Sequence, residues 1–297
     1  MPYGRFDRRT FVLGGAALST LAACGGATSL GSTGPSGLKP DRLGVRFPDG
    51  ERAPSVAVVG HGDQRFPFVV IADDGLPMIA DTPESIEIDV LLDGELITTE
   101  VVAARGVGQF TPYYPLIFNP PEAGFYVART DFSDLDTNFL VVERSDTPLF
   151  QVGEKLPGFD SPTFDAANGV DPVCTRTEPC PFHEVTLAEA LTNGKPTALL
   201  IATPAFCQTD VCGSNLEFLI DGAADRAGIN VIHSEVYANF AEDIDTGALP
   251  RRAPMLEAWD IAFEPSLFAI DGEGTILGAR HFAFDREETI EVLDLLS

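Results

Sequence analysis

Two rhythms of apolar and polar residues divide the chain. From about Asp41 to Asp146 the apolar residues come in short or alternating runs, each closed by a turn signal. Phe66–Ala72 runs into Asp73-Asp74-Gly75. Ser85–Leu92 runs into Asp93-Gly94, and Glu95–Thr98 follows. This is a hairpin pattern, because Asp-Gly accepts the positive φ angles of a two-residue turn. Gly124–Arg129 and Asn138–Glu143 predict a late strand pair. No long stretch repeats at helical spacing, so the region predicts an all-β sandwich.

After Asp146 the pattern changes. Thr186–Leu191 predicts a short helix ended by Asn193-Gly194. Thr197–Ala202 is an unbroken apolar run, as expected of a strand buried on both faces. The spacing of Leu216, Phe218, Leu219, Ile220 and Ala224 predicts a helix over Ser214–Ala227. Asn230–Tyr237 reads as a strand. Ser266–Ile270 and Thr275–Gly278 flank the turn Asp271-Gly272-Glu273-Gly274, and Arg286–Leu296 closes with a helix. This order describes a mixed sheet covered by helices. The chain therefore divides into an all-β domain over 41–147 and an α/β domain over 148–297. The first is immunoglobulin-like in architecture only, since the cysteine pair of antibody-type domains is absent. It holds no catalytic constellation and suits a spacer or partner-binding role. His61, between Gly60 and Gly62 in a turn, carries no role.

The N-terminus reads as an address. Arg5 and Arg8-Arg9 precede an apolar run from Val12 to Ala23, too short for a membrane-spanning helix of about 20 residues. The run Asp7-Arg8-Arg9-Thr10-Phe11-Val12 resembles a twin-arginine signal, which implies export in the folded state. Leu21-Ala22-Ala23-Cys24-Gly25 resembles the lipobox of bacterial lipoproteins. That resemblance implies a signal over 1–24 ending at an acylated Cys24, and a chain anchored to the outer face of the cell membrane. Residues 25–40 are rich in Gly, Ser, Thr and Pro and read as a flexible tether.

Composition narrows the partners. Against 45 acidic residues stand 19 basic ones, a net charge of −26. Such a surface repels nucleic acid and anionic lipid, so no nucleic-acid partner is expected. There are five cysteines. With Cys24 consumed by processing, Cys174, Cys180, Cys207 and Cys212 remain as two close pairs, which suits an oxidising compartment.

Several segments of the second domain occur in a recognisable order. Gly153-Glu154-Lys155-Leu156-Pro157-Gly158-Phe159 is similar to the opening of redoxin domains. Gly194-Lys195-Pro196, an apolar strand and Ala202-Thr203-Pro204-Ala205-Phe206-Cys207 resemble the lead-in of exported thioredoxin-like proteins. Glu264-Pro265-Ser266-Leu267-Phe268 resembles the segment around that family's cis-proline. The resemblance implies a thioredoxin-like fold, with Pro265 cis and facing the active cysteines. The cysteines depart from thioredoxin, which carries Cys-x-x-Cys, because four residues separate Cys207 from Cys212. This spacing, with Gly213 after it, resembles the attacking and resolving cysteines of bacterioferritin-comigratory-type peroxiredoxins. Those proteins have a threonine three residues before the attacking cysteine, where this chain has Pro204. Relative to Cys212 only Thr209 is in place.

A thiolate is the reactive form of cysteine, and a helix N-terminus favours it. Cys207 lies between a buried strand and a helix, so it is the candidate nucleophile, with Asp210 opposing its ionisation. Cys212 is the candidate resolving thiol. Residues five apart on one helix have Cα atoms roughly 8–9 Å apart, whereas a disulfide needs less than about 7 Å. The helix must therefore begin after Cys207, or open, for the pair to close.

Cys174 and Cys180 lie in a proline-rich loop, where a structural disulfide is the leading expectation and a second redox pair relaying electrons the sharper one. His183 is a candidate proton donor or acceptor beside Cys207. Cys174, Cys180 and His183 have zinc-ligand chemistry at a spacing zinc sites seldom use. Sco-type copper proteins use Cys-x-x-x-Cys, which is absent here. Neither a metal nor a cofactor is expected. The resulting expectation is a membrane-tethered extracytoplasmic thiol–disulfide oxidoreductase acting on protein thiols or disulfides. The alternatives are a thiol peroxidase using Cys207 and Cys212, and a non-enzymatic binding lipoprotein with structural disulfides.

Overall fold

The computed structural model describes residues 37–47, 57–207, 211–261 and 263–297, which belong to one compact unit. The residues read as an export signal, Cys24 and nearly all of those read as a tether lie outside the described residues, as do Thr209 and Asp210. Among the described residues no helix is long and apolar enough to cross a membrane.

The first half consists of strands β1 (Pro40–Val45), β2 (Gln64–Ala72), β3 (Ser85–Leu92), β4 (Glu95–Ala103), β5 (Tyr114–Phe118), β6 (Gly124–Arg129) and β7 (Thr137–Val141). They form two antiparallel sheets, β1-β2-β5 and β4-β3-β6-β7. In β3 the buried Ile86, Ile88 and Val90 alternate with the more exposed Glu87 and Asp89, the period-two pattern of a strand with one face on a core. The inner faces of both sheets share an aromatic core of Phe66, Phe68, Phe118, Tyr126 and Phe139. Phe66 and Phe139 have ring centroids 4.7 Å apart, within the range of favourable aromatic contact. Two strands escape the sequence pattern. β1 is polar and gains its place by pairing with β2. β5 contains Pro115, which an edge strand tolerates because it needs no inward amide there.

The second half consists of α1 (Leu187–Ala190), β8 (Thr197–Ile201), α2 (Cys212–Ala223), β9 (Asn230–Ser234), α3 (Phe240–Asp245), α4 (Pro254–Ala258), β10 (Ser266–Ile270), β11 (Ile276–His281) and α5 (Arg286–Asp294). The sheet order is β11-β10-β8-β9, with β8 parallel to β9 and the other pairs antiparallel. This is the mixed sheet that the apolar runs predict. β8 is buried along its whole length. Ala198 and Leu200 face one way and pack with Leu216, Leu219 and Leu293 of α2 and α5. Leu199 and Ile201 face the other way, among Leu187, Met255 and Leu256. Gly222 permits the close crossing of α2 and α5, since a Cβ there would lie 2.8 Å from a Leu293 methyl.

The two halves are joined by a buried network. Arg65 of β2 donates to both carboxylate oxygens of Glu288 on α5, at 2.8 and 2.7 Å. Tyr113 donates its hydroxyl to the same carboxylate and accepts from the Asp285 amide. Burial pushes the Glu288 carboxyl upward, yet Arg65, Tyr113 and Arg280 together hold it below its ordinary value. Burial and the Glu288 charge both push the Tyr113 phenol up.

Candidate active site and a buried cysteine–histidine cluster

β8 delivers the chain to Ala202 and Thr203, and a turn at Pro204-Ala205-Phe206 leads to Cys207. Cys207 and Cys212 form a disulfide with Cα atoms 6.0 Å apart. The geometric condition on this pair is met because α2 begins at Cys212, two residues before the predicted Ser214, and leaves Cys207 outside it. Val211 at the helix cap offers no side-chain hydrogen bond, so first-turn amides near the disulfide have no side chain from the cap. The two cysteines differ in burial. Cys212 is fully buried, whereas Cys207 is half-buried.

A carboxylate completes this site. Glu264 precedes Pro265 at the entry to β10, and the peptide bond between them is cis. Pairing of β10 with β8 brings Glu264 to the turn after β8. Its Oε2 accepts a hydrogen bond from the Thr203 amide and lies 3.5 Å from Cys212 Sγ. Its Oε1 is buried without a hydrogen-bond partner among the described residues. Burial pushes the Glu264 carboxyl up to about 7, and the negative charge of Glu235 adds to the rise, against the Thr203 amide. The sequence pattern shows Glu264 only as the residue before a family-like proline. The missed signal is a carboxylate two residues ahead of a strand that is buried throughout, where solvation is lost.

The second pair stands in a different setting and corrects an expectation. Cys174 and Cys180 are free and buried, with no disulfide between them. Both sulfurs face His233 Nδ1, at 3.8 and 3.5 Å, and the Cys180 amide donates to Cys174 Sγ at 3.4 Å. His183 Nε2 lies 3.2 Å from the same His233 Nδ1. His183 thus belongs with Cys174, Cys180 and His233, all four buried and with ligand atoms within 4.8 Å of one another. The hydrogen bond from Cys180 holds the Cys174 thiol below its ordinary value, helped by both imidazoles against burial. The same bond, together with burial, pushes the Cys180 thiol up.

His233 comes from β9 and is absent from the sequence reading, where it is one polar residue inside a strand. Its Nε2 lies 2.9 Å from the Ala202 carbonyl oxygen. A carbonyl can only accept, so Nε2 carries the proton and Nδ1 turns a lone pair toward the sulfurs. Beside this ring, Glu235 accepts from the amide and hydroxyl of Thr175. The Thr175 hydroxyl oxygen also accepts from the Ala205 amide at 3.2 Å. Thr175 therefore ties the cysteine loop to the turn that leads into Cys207.

No protein-family model matches the chain, and no curated protein matches it. Solved structures do resemble it over about half its length. One, from Chlorobium tepidum, carries the provisional description thiol:disulfide interchange protein DsbE. It is 15% identical with a TM-score of 0.35, covering 50% of this chain and 100% of that one. A second, provisionally described as a protein disulfide isomerase from Bacteroides thetaiotaomicron, is 18% identical with a TM-score of 0.34. It covers 50% of this chain and 91% of that one. A third, the C-terminal domain of a provisionally described thiol-disulfide oxidoreductase from Bacteroides thetaiotaomicron, is 12% identical with a TM-score of 0.32. It covers 49% of this chain and 96% of that one.

Proposed function

We propose that this chain is a thiol–disulfide oxidoreductase in which Cys207 and Cys212 exchange with protein thiols and Glu264 manages the proton of Cys212. One observation carries the reading: a disulfide between a half-buried and a fully buried cysteine has a carboxyl group of raised pKa 3.5 Å from the buried sulfur.

The steps follow from access and charge. A substrate thiolate attacks Cys207 Sγ, the sulfur it can reach, forming a mixed disulfide as the Cys207–Cys212 bond breaks. The electron pair of that bond goes to Cys212 Sγ, which is desolvated. With a pKa near 7, Glu264 is neutral over part of the neutral range and gives this sulfur its proton. A second substrate thiolate then attacks the substrate sulfur of the mixed disulfide and expels Cys207 as a thiolate. The substrate dithiol loses two electrons and the Cys207–Cys212 pair gains them. In reverse, ionised Glu264 takes the Cys212 proton as the pair reduces a substrate disulfide.

The supporting frame is a thioredoxin-like domain over 148–297 beside a sandwich over 41–147. The sandwich is immunoglobulin-like in one local feature. Tyr126, near the start of β6, donates its hydroxyl to the Glu122 carbonyl four residues upstream, the corner contact of such sandwiches. On the arginine pair and the box ending at Cys24, the chain works outside the cytoplasm as a lipoprotein. Labelled fatty acid should enter the wild-type chain and be lost in Cys24→Ala.

The exchange reading is tested by trapping. A Cys212→Ser chain incubated with a scrambled-disulfide substrate protein should accumulate a mixed disulfide at Cys207. A Cys207→Ser chain should accumulate none. Absence of the adduct from Cys212→Ser would remove the reading.

A further inference from the structure

We propose that Cys174, Cys180, His183 and His233 form a closed, four-ligand site for a zinc-class divalent cation. The case rests on the arrangement of four buried side chains outside the Cys207–Cys212 site.

The three edges that meet at His233 Nδ1 are close to those of a tetrahedron, and the other ligand atoms lie within 4.8 Å of one another. With metal–sulfur bonds of about 2.3 Å and metal–nitrogen bonds of about 2.0–2.1 Å, sulfur–nitrogen edges come to about 3.6 Å and nitrogen–nitrogen edges to about 3.4 Å. The edges here are 3.8 Å for Cys174 Sγ to His233 Nδ1 and 3.5 Å for Cys180 Sγ to His233 Nδ1. The edge between His183 Nε2 and His233 Nδ1 is 3.2 Å.

Hydrogen bonding alone does not account for the cluster. His233 Nδ1 has one in-plane lone pair, and three polar atoms converge on it. One donor can use that lone pair; a cation at the centre engages all four groups at once. The surroundings are prepared in the same sense. The Ala202 carbonyl holds the proton of His233 on Nε2, the outer-shell contact that fixes a ligating imidazole. The Cys180 amide donates to Cys174 Sγ, which favours a thiolate there.

Charge and ligand type select the ion. Two thiolates and two neutral imidazoles around a divalent cation sum to zero, which suits a site buried on all sides. Binding releases the thiol protons to solvent. A sulfur–nitrogen set in tetrahedral arrangement suits zinc over the oxygen-seeking calcium and magnesium. All four positions are protein ligands, so the site holds structure and leaves no open position for substrate. It pins the Cys174–His183 loop to β9.

The test uses the full chain, reduced, stripped with chelator and titrated with Co²⁺ alone. The expected result is one equivalent bound, with sulfur-to-cobalt charge-transfer absorption and intense tetrahedral d–d bands that Zn²⁺ displaces. The Cys207→Ser/Cys212→Ser double variant should keep this spectrum. Cys180→Ser should weaken binding by a factor on the order of 100 or more, since even outer-shell changes cost 10–100-fold. If Cys180→Ser does not fold, His183→Gln with the same titration replaces it. Absence of saturable tetrahedral binding would overturn the proposal. So would loss of binding in the double variant, because Cys207, Cys212 and Glu264 would then be the ligands. A Cys174–Cys180 disulfide mapped in chain produced with Zn²⁺ present would overturn it as well. None of these readouts depends on thiol exchange, so the site and the oxidoreductase reading fail separately.

Discussion

The two cysteine pairs have nearly the same spacing and opposite surroundings. Cys207 and Cys212 are joined at a loop–helix junction, with one sulfur half-buried and a carboxyl beside the other. Cys174 and Cys180 are not bonded to each other, and both are buried and face two imidazoles. On the proposed readings, spacing brings thiols near each other, while burial and neighbours decide their chemistry. A thiol pair exchanges where a partner can reach one sulfur and a proton acceptor serves the other. Where neither holds and nitrogen lone pairs converge, the pair is suited to a cation.

The strongest attempt to break this contrast exchanges the roles by mutation. Cys207→Ser should lower thiol exchange by more than about a thousandfold, because it removes the sulfur through which the mixed disulfide forms in either direction. Cys180→Ser, where it folds, should leave exchange within about threefold in the same assay, a bound set by its absence from the reacting atoms. A comparable loss in both variants would merge the two sites into one machine.

Next in size is Glu264. Positioned proton transfer contributes about 10²–10⁴-fold, so Glu264→Gln should slow exchange on the order of 100-fold. The wild-type profile should bend near the Glu264 pKa of about 7, and the variant should lose that inflection. The same group makes a stability prediction. Its folded pKa is raised, so its contribution is full below an unfolded value of about 4.3 and is lost as pH rises through about 7. Denaturant titrations should show Glu264→Gln flattening a pH-dependent loss on the order of 3 kcal/mol. Equal pH slopes in both chains would remove Glu264 from the site.

The smallest expected effect concerns the link between the pairs. Thr175→Val removes the hydroxyl that joins Glu235 to the Ala205 amide. It should cost about 1 kcal/mol of stability, because the exposed Ala205 amide can turn to water and Glu235 keeps the Thr175 amide, read from denaturation midpoints. It should alter exchange less than Glu264→Gln does.

Much of the frame was legible in the chain. Alternation and an Asp-Gly turn identify β3 and its hairpin partner, an unbroken apolar run identifies β8, and the turn Asp271-Gly272-Glu273-Gly274 identifies β10 and β11. The helix expected over Ser214–Ala227 runs from Cys212, the residue that also closes the disulfide, to Ala223. α3 and α4 escaped the sequence pattern although α1 is shorter still, because α1 opens with the reciprocal capping box of Thr186 and Glu189, which neither of the other two has. α3 depends on the Asn239 cap and α4 on Pro254 at its start. The site was less legible than the frame. Cys207 and Cys212 are close in sequence, so their meeting could be argued from helix geometry. Glu264 and His233 reach their partners only through strand pairing across the sheet, and no local pattern announces that. The expected Cys174–Cys180 disulfide failed for the same reason, since its competitor, the His233 imidazole, comes from β9.

One measurement tests the contrast directly. The full chain is equilibrated across a series of glutathione redox buffers, quenched by alkylation, and the state of each cysteine read by mass spectrometry. Cys207 and Cys212 should convert together as one two-electron couple within the buffer range, while Cys174 and Cys180 stay unpaired throughout. A Cys207–Cys212 bond that survives to potentials below about −300 mV, as structural bridges do, would contradict the account. So would a Cys174–Cys180 disulfide that titrates in its place.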